Sequence, residues 1–191
     1  MQLLLVARHG QSLFNIDQVV NGDPARDRGL SPLGIDEAEK LALQVAGIAL
    51  DLVVVSEFER AQQTAELALG GRPVPTVVEP DLNDVRIGEL EGRTLLDYRA
   101  WKAEHPRSEP FPGGESLDDA ARRYAAGFGR VLDRPEATIL CVCHEIPVRY
   151  LVNAAAGSDD LDRPLHDVAN ATPYVFDAAG LGRGVERLRR V

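Results

Sequence analysis

The sequence predicts an α/β protein, a three-layer sandwich with a mostly parallel central sheet and helices on both faces. Three observations carry this. Short, near-continuous apolar runs recur along the chain, as in strands buried on both faces. Segments with apolar residues at helical spacing lie between them. The chain has 191 residues, 45% of them hydrophobic, and no linker, repeat or low-complexity tract divides it. One domain over residues 1–191, with a substantial core, is therefore expected.

The elements follow in order. Residues 2–7 (QLLLVA) form the first expected strand. Residues 17–30, polar with Gly and Pro, read as a long loop. Residues 31–49 read as a helix, because Ile35, Ala38, Leu41, Ala42 and Val45 recur at its period. Residues 51–55 (DLVVV) form the second strand. A helix over 57–69 follows, marked by Ala61, Thr64, Ala65 and Ala68. Residues 74–79 (VPTVVE) form the third strand. Residues 104–115, with three prolines and two glycines, form a second loop. The helix over 116–132 opens with Ser116 and Asp119 spaced as a capping box. Residues 138–143 (TILCVC) form a strand, and 146–156 form a helix with Pro147 in its first turn. A fifth strand is expected at 173–177 (PYVFD). The basic terminal stretch GRGVERLRR is expected to be a solvated face.

Composition narrows the functional classes. A net charge of −9 argues against a nucleic-acid partner, which needs a basic face. No stretch approaches the roughly 20 apolar residues of a membrane helix. The N-terminus lacks the marks of a secretory signal, so a cytoplasmic protein is expected. Monomer and homodimer are both compatible with the composition. Cys141 and Cys143, one residue apart, read as two small residues of a buried strand rather than as metal ligands, since no second Cys/His cluster completes a site.

Ligands of open α/β sheets bind beyond the carboxyl ends of the strands. Arg8-His9-Gly10-Gln11-Ser12 follows the first strand, and Ser56 to Arg60 follows the second. Asp84 follows the third, and His144-Glu145 ends the 138–143 strand. Two guanidiniums match phosphate oxygens, an imidazole can attack phosphorus, and a carboxylic acid can protonate a leaving oxygen. Gly10 would let the backbone approach the anion, with amides of a following helix aimed at it. None of this chemistry calls for a metal or a cofactor. Each residue also has a purely structural reading. Arg60 could pair with Glu57 three residues earlier, Asp84 could cap a turn, and His144 could be a hydrogen-bonded core histidine.

The chain resembles the histidine phosphatase superfamily, in its phosphoglycerate-mutase-like branch. Arg8 to Asn15 is similar to the signature R-H-G-[EQ]-[ST]-x-x-N. Leu30 to Ala38 resembles L-[ST]-x-x-G-x-x-[QED]-A, and SEFERAQQTA resembles S-x-x-x-R-A-x-Q-T-A. LNDVRIGELEG is similar to L-x-E-x-x-x-G-x-x-E-G, and PGGES to a familiar loop. Five ordered motifs make a strong signal.

The resemblance implies a phosphoglycerate-mutase-like fold and a role for each matched residue. His9 would form a phosphohistidine. Arg8, Arg60 and His144 would hold the phosphoryl oxygens, and Asp84 would supply the proton. Asn15 would be a neutral donor, and Gln11 and Asn21 would line the substrate pocket.

Two residues depart from the pattern. Asp84 stands where the family usually has Glu, one methylene longer. Glu145 stands where the family usually has Gly, so a side chain borders the phosphate site. An inward Glu145 would repel phosphate or offer a second acid. The outward orientation, capping the following helix, is the one expected.

The reading is a metal-independent phosphomonoesterase acting on a small phosphorylated metabolite. The alternatives are a cofactor-dependent mutase, against which 191 residues look short, and a non-catalytic phosphate binder. Specificity is expected from the 17–30 loop and the 94–115 region. There Tyr98, Trp101, Arg107 and Phe111 could reach a ligand or simply pack. An anionic metabolite would call Arg26, Arg28, Arg86 or Arg107 inward.

Overall fold

The computed structural model describes residues 1–191. Five strands form one sheet: β1 (Leu3–Arg8), β2 (Leu52–Val55), β3 (Thr76–Val78), β4 (Thr138–Cys143) and β5 (Pro173–Asp177). Their order is β3-β2-β4-β1-β5. The first four run parallel, and β5 lies antiparallel against β1. The expected mostly parallel sheet is present, with β3 shorter than its apolar run.

The continuous apolar strands are explained by two cores. On one face Leu4, Val6, Leu52, Val54, Ile139 and Cys141 pack under three helices. These are α5 (Leu117–Leu132), α6 (Glu145–Ala155) and α7 (Ala178–Leu188). On the other, Leu5, Ala7, Val53, Val55, Leu140 and Val142 pack under α2 (Pro32–Val45) and α3 (Glu59–Leu69). Successive strand residues alternate between the cores, as period-two geometry requires. Cys141 and Cys143 are both buried in this sheet. No helix is long and apolar enough to cross a membrane.

Three helices lie outside the four ranges read as helical, the first of them being the helix expected after Gly10. One is α1 (Leu13–Asp17), capped by Ser12, whose hydroxyl accepts the Asn15 N–H. Another is α4 (Leu95–Glu104), capped by Thr94 and Asp97. The third, α7, corrects the terminal stretch. Leu181, Val185 and Leu188 are buried, so only one side of it is the expected solvated face.

Register sets the site. Arg8 pairs with Cys143, and the His9 N–H donates to the Cys143 carbonyl (2.9 Å). The residues beyond those strand ends, His9 and His144, therefore emerge side by side. Beyond β2, the Ser56 N–H donates to the Val142 carbonyl (3.3 Å), so Ser56 sits beneath the same edge.

Gly10 serves packing rather than anion approach. A Cβ there would meet the Gly34 carbonyl oxygen at 2.4 Å, and its N–H donates to Thr64 Oγ1 (3.0 Å). Gly34, on α2, is reciprocal, since its Cβ would meet the Gln11 oxygen at 2.1 Å. Neither contact can yield without backbone movement. Gly34→Ala is expected to lower stability by about 1–3 kcal/mol, the usual range for overpacking. It should also lower activity by displacing the Arg8-His9 segment. Urea unfolding and steady-state kinetics of the variant check both effects.

Candidate active site

A cavity of about 310 Å³ opens over the carboxyl ends of β1 and β4. Arg8, His9, Arg60, Asp84 and Glu145 line it together, joined by Gln11, Asn15 and Asn21.

His9 is buried, and its protonation pattern follows from its neighbours. Nδ1 lies 2.6 Å from the Gly10 carbonyl, which can only accept, so Nδ1 carries the proton. The Nε2 lone pair is left, and it accepts the Arg60 Nε–H at 3.1 Å. Burial, then the Arg60 and Arg8 charges, hold His9 well below the usual histidine range. The imidazole is neutral at neutral pH, with Nε2 toward the cavity side.

Arg60 lies in the first turn of α3, just beyond β2, and is 3% exposed. Its guanidinium donates to Asn21 Oδ1 (2.5 Å), the Asn21 carbonyl (3.2 Å) and Asp27 Oδ1 (3.0 Å). The Arg60 backbone N–H donates to the other Asp27 oxygen (2.8 Å). Glu57 does not pair with it, and instead accepts from Asn83 Nδ2 (2.6 Å).

His144 is fully buried behind these groups. Its Nε2 lies 2.9 Å from Ser56 Oγ, and its Nδ1 lies 3.3 Å from Arg60 Nη2 and 3.7 Å from Asp84 Oδ2. Burial and then the Arg60 charge keep it neutral as well. Asp84 Oδ1 accepts its own turn's Val85 N–H (2.9 Å), while Oδ2 faces Arg60 Nη2 at 3.7 Å. Burial raises the Asp84 carboxyl above the usual range, and Glu145 adds to the rise against the lowering effects of Arg60, Arg8 and the Val85 hydrogen bond. Asn15 Oδ1 accepts the Ser12 N–H (3.0 Å), which leaves its amide nitrogen for the cavity. Two permanent cations, one neutral imidazole whose Nε2 lone pair is covered by Arg60, and one protonatable carboxyl thus converge on one space. That set can bind and transfer a phosphoryl group.

The family model of the histidine phosphatase superfamily (branch 1) matches residues 4–190. The chain belongs to this superfamily. Among superfamily relatives, the adenosylcobalamin/alpha-ribazole phosphatase of Escherichia coli is 31% identical over 82% of this chain and 80% of that protein. A 2,3-bisphosphoglycerate-dependent phosphoglycerate mutase of Methylobacterium sp. is 38% identical over 92% of this chain and 90% of that one. The chain spans nine-tenths of that mutase, so its length does not set it apart, contrary to expectation. The alpha-ribazole phosphatase of Shigella flexneri has the same fold, with a TM-score of 0.80 and 27% identity over 92% of this chain and 90% of that chain.

The structure changes several expectations for this superfamily member. Glu145 is not turned outward. Its Oε2 lies 2.9 Å from Arg8 Nη1, and its Oε1 accepts from Arg149 Nη1 at 3.0 Å. The pull of two arginines outweighs the helix-capping preference. Asn21 lines the cavity but is tied to Arg60, Glu91 and the Asp23 carbonyl. Gln11 Oε1 is occupied by the Ser31 hydroxyl (2.8 Å). Of the aromatic candidates only Tyr98 reaches the cavity, while Phe111 and Trp101 pack behind it. Arg107 is held by Asp118, Asp162 and Tyr150.

Sequence reasoning missed Asp27, Glu91 and Asn170. Glu91 holds Asn21 Nδ2 and the Gly22 N–H, both at 2.7 Å, and lies within the quoted LNDVRIGELEG motif, which was a usable signal. Asn170 donates to the His9 carbonyl (2.7 Å) with no local pattern to announce it. Asp27 is the buried counter-ion of Arg60, its side chain only 1% exposed. Asp27→Ala is expected to cost about 3–5 kcal/mol, because it leaves a buried guanidinium uncompensated; chemical denaturation measures this directly.

The shifted groups also fix a pH dependence. Histidines depressed in the fold take up protons more readily when unfolded, so His9 and His144 make stability fall as pH drops below about 6.5. Asp84, raised in the fold, acts oppositely, since its stabilising proton is lost as pH rises through its folded pKa. Asp84→Asn removes only the opposing effect. Urea unfolding from pH 7.5 down to about 4, the range of an unfolded carboxyl, should therefore show a steeper loss on acidification in that variant than in the wild type, with each proton worth up to about 1.4 kcal/mol per pH unit.

Proposed function

We propose that this chain is a phosphomonoesterase that works through a phosphohistidine on His9 and acts on a small phosphorylated metabolite. The observation that carries this is the His9 tautomer. The Gly10 carbonyl holds the Nδ1 proton, leaving the Nε2 lone pair beside two arginines and a carboxyl of raised pKa.

In the first step Nε2 attacks phosphorus in line with the ester oxygen. The P–O bond breaks, and the leaving alkoxide takes the Asp84 proton. Arg8 and Arg60 neutralise charge on the phosphoryl oxygens, with His144 at the base and the Asn15 amide alongside. Binding draws the Arg60 Nε–H from His9 to a phosphoryl oxygen, which uncovers the lone pair. The Gly10 carbonyl stabilises the charge the ring acquires. In the second step water attacks phosphorus and gives its proton to the Asp84 carboxylate. The P–N bond breaks, and neutral His9 returns with its Nδ1 proton.

The named phosphatases at 31% sequence identity and at TM-score 0.80 support hydrolysis. The 38% identity with a named mutase favours a second reading, in which the phosphoryl group returns to another hydroxyl. Product analysis separates them, because hydrolysis yields inorganic phosphate and the mutase reaction an isomer.

Rapid quench with a labelled phosphomonoester should trap acid-labile phosphohistidine on the wild type and none on His9→Ala. Asp84→Asn should lose about 10²–10⁴-fold in turnover of alkyl phosphates. Its loss should be much smaller with 4-nitrophenyl phosphate, whose leaving group needs no proton. Saturable phosphate binding without turnover or phosphoenzyme would instead favour a non-catalytic binder.

A further inference from the structure

The cavity is unevenly charged. Its two cations, Arg8 and Arg60, both lie at the phosphoryl end, and each is already faced by a carboxylate. Glu145 Oε2 lies 2.9 Å from Arg8, and Asp27 Oδ1 lies 3.0 Å from Arg60. Arg8 Nη1 also donates to the Val168 carbonyl (2.9 Å). What Arg8 keeps for a ligand includes its Nε–H, which is buried with no partner. The phosphoryl end thus has donors for one phosphate and no surplus charge for a second anion.

The rest of the wall holds no cation. Phe14, Val19, Val20, Ile87, Leu95 and Tyr98 form much of it. Of the arginines that could have served a second anion, Arg26 lines a neighbouring cleft instead of this cavity and the others are engaged elsewhere. Arg28 pairs with Asp17 (2.6 Å) and Arg86 with Glu115 (2.9 Å). Arg149 is held by Glu145 and Asp162, both at 3.0 Å. Glu145 itself stays 34% exposed at the cavity rim, clamped there by two arginines. A substrate that seats its phosphate on Arg8 must lay its organic part past this carboxylate.

We propose that Glu145 is a specificity determinant that admits phosphomonoesters whose organic part is apolar or cationic and turns away those bearing a second anionic group. This rests on the phosphatase reading above and adds the substrate class. The apolar wall takes an aliphatic or aromatic moiety. Glu145 keeps a third of its side chain exposed beside its two arginines, so it attracts a positive charge on that moiety and repels a carboxylate or a second phosphate, and no cation on the facing apolar wall offsets it.

The test compares kcat/KM for phenyl phosphate, 4-carboxyphenyl phosphate and 4-(aminomethyl)phenyl phosphate on the wild type, Glu145→Gln and Glu145→Asp. Ratios between variants cancel the intrinsic leaving ability of each phenol. They also cancel any uniform loss from a shifted Arg8. Glu145→Gln should raise the carboxyphenyl-to-phenyl ratio about tenfold, the scale of one unit-charge repulsion at several Å in a partly wet site. It should lower the aminomethyl-to-phenyl ratio in parallel, and Glu145→Asp, which keeps the charge, should stay near the wild type. Hydrolysis of all three esters with ratios unchanged within twofold overturns the role of Glu145 and leaves the phosphatase reading standing. Absence of both hydrolysis and phosphohistidine in the wild type overturns that reading, and this inference falls with it.

Discussion

A buried guanidinium organises this molecule. Arg60 is almost wholly removed from water, and an unpaired cation there would be prohibitively costly. Its compensation comes from residues far away in sequence. Asp27 supplies the opposite charge, and Asn21 supplies two oxygens. The loop that carries both must therefore fold across the top of the sheet. That loop delivers Val19 and Val20 to the cavity wall, and Glu91 locks it from the other side. One side chain thus couples α3, the 17–30 loop and the strand end that bears His9.

The sheet supplies the second constraint. Because β1 and β4 are adjacent and parallel with Arg8 opposite Cys143, His9 and His144 emerge together. Their rings sit edge to face at 5.3 Å, and Phe58 packs on the far side of His144 at 4.5 Å. Such packing keeps both imidazoles out of water, and burial is the leading cause of their lowered pKa values. The charge state at the site is therefore a product of the core as much as of the local arginines.

Strands buried on both faces announce themselves, and β1, β4 and β5 lie where their apolar runs place them. The strand-end residues were legible because ligands of open α/β sheets bind beyond the carboxyl ends of the strands and the motifs there are ordered along the chain. Partners fixed only by tertiary folding were not. Asp27 sits in a loop with several acidic residues, and no spacing distinguishes it from Asp23. The orientation of Glu145 depended on Arg149, one helical turn on, reinforcing the pull of Arg8. Helix α7 was obscured by arginines on its outer side. Its buried Leu181, Val185 and Leu188 carry the helical period, but three glycines and the basic charge masked it.

The hydrogen bond from His9 to Gly10 has a further consequence. The carbonyl that selects the ring's tautomer belongs to the next residue, so the reactive form travels with the His9–Gly10 backbone. The walls that would meet the rest of a ligand come from other segments: the loop after α1, the start of α4 and the first turn of α6. Chemistry and selectivity are therefore inherited on separate stretches of chain. Drift in the walls can change what is accepted without disarming the nucleophile, and a scaffold built this way diversifies its substrates faster than its reaction.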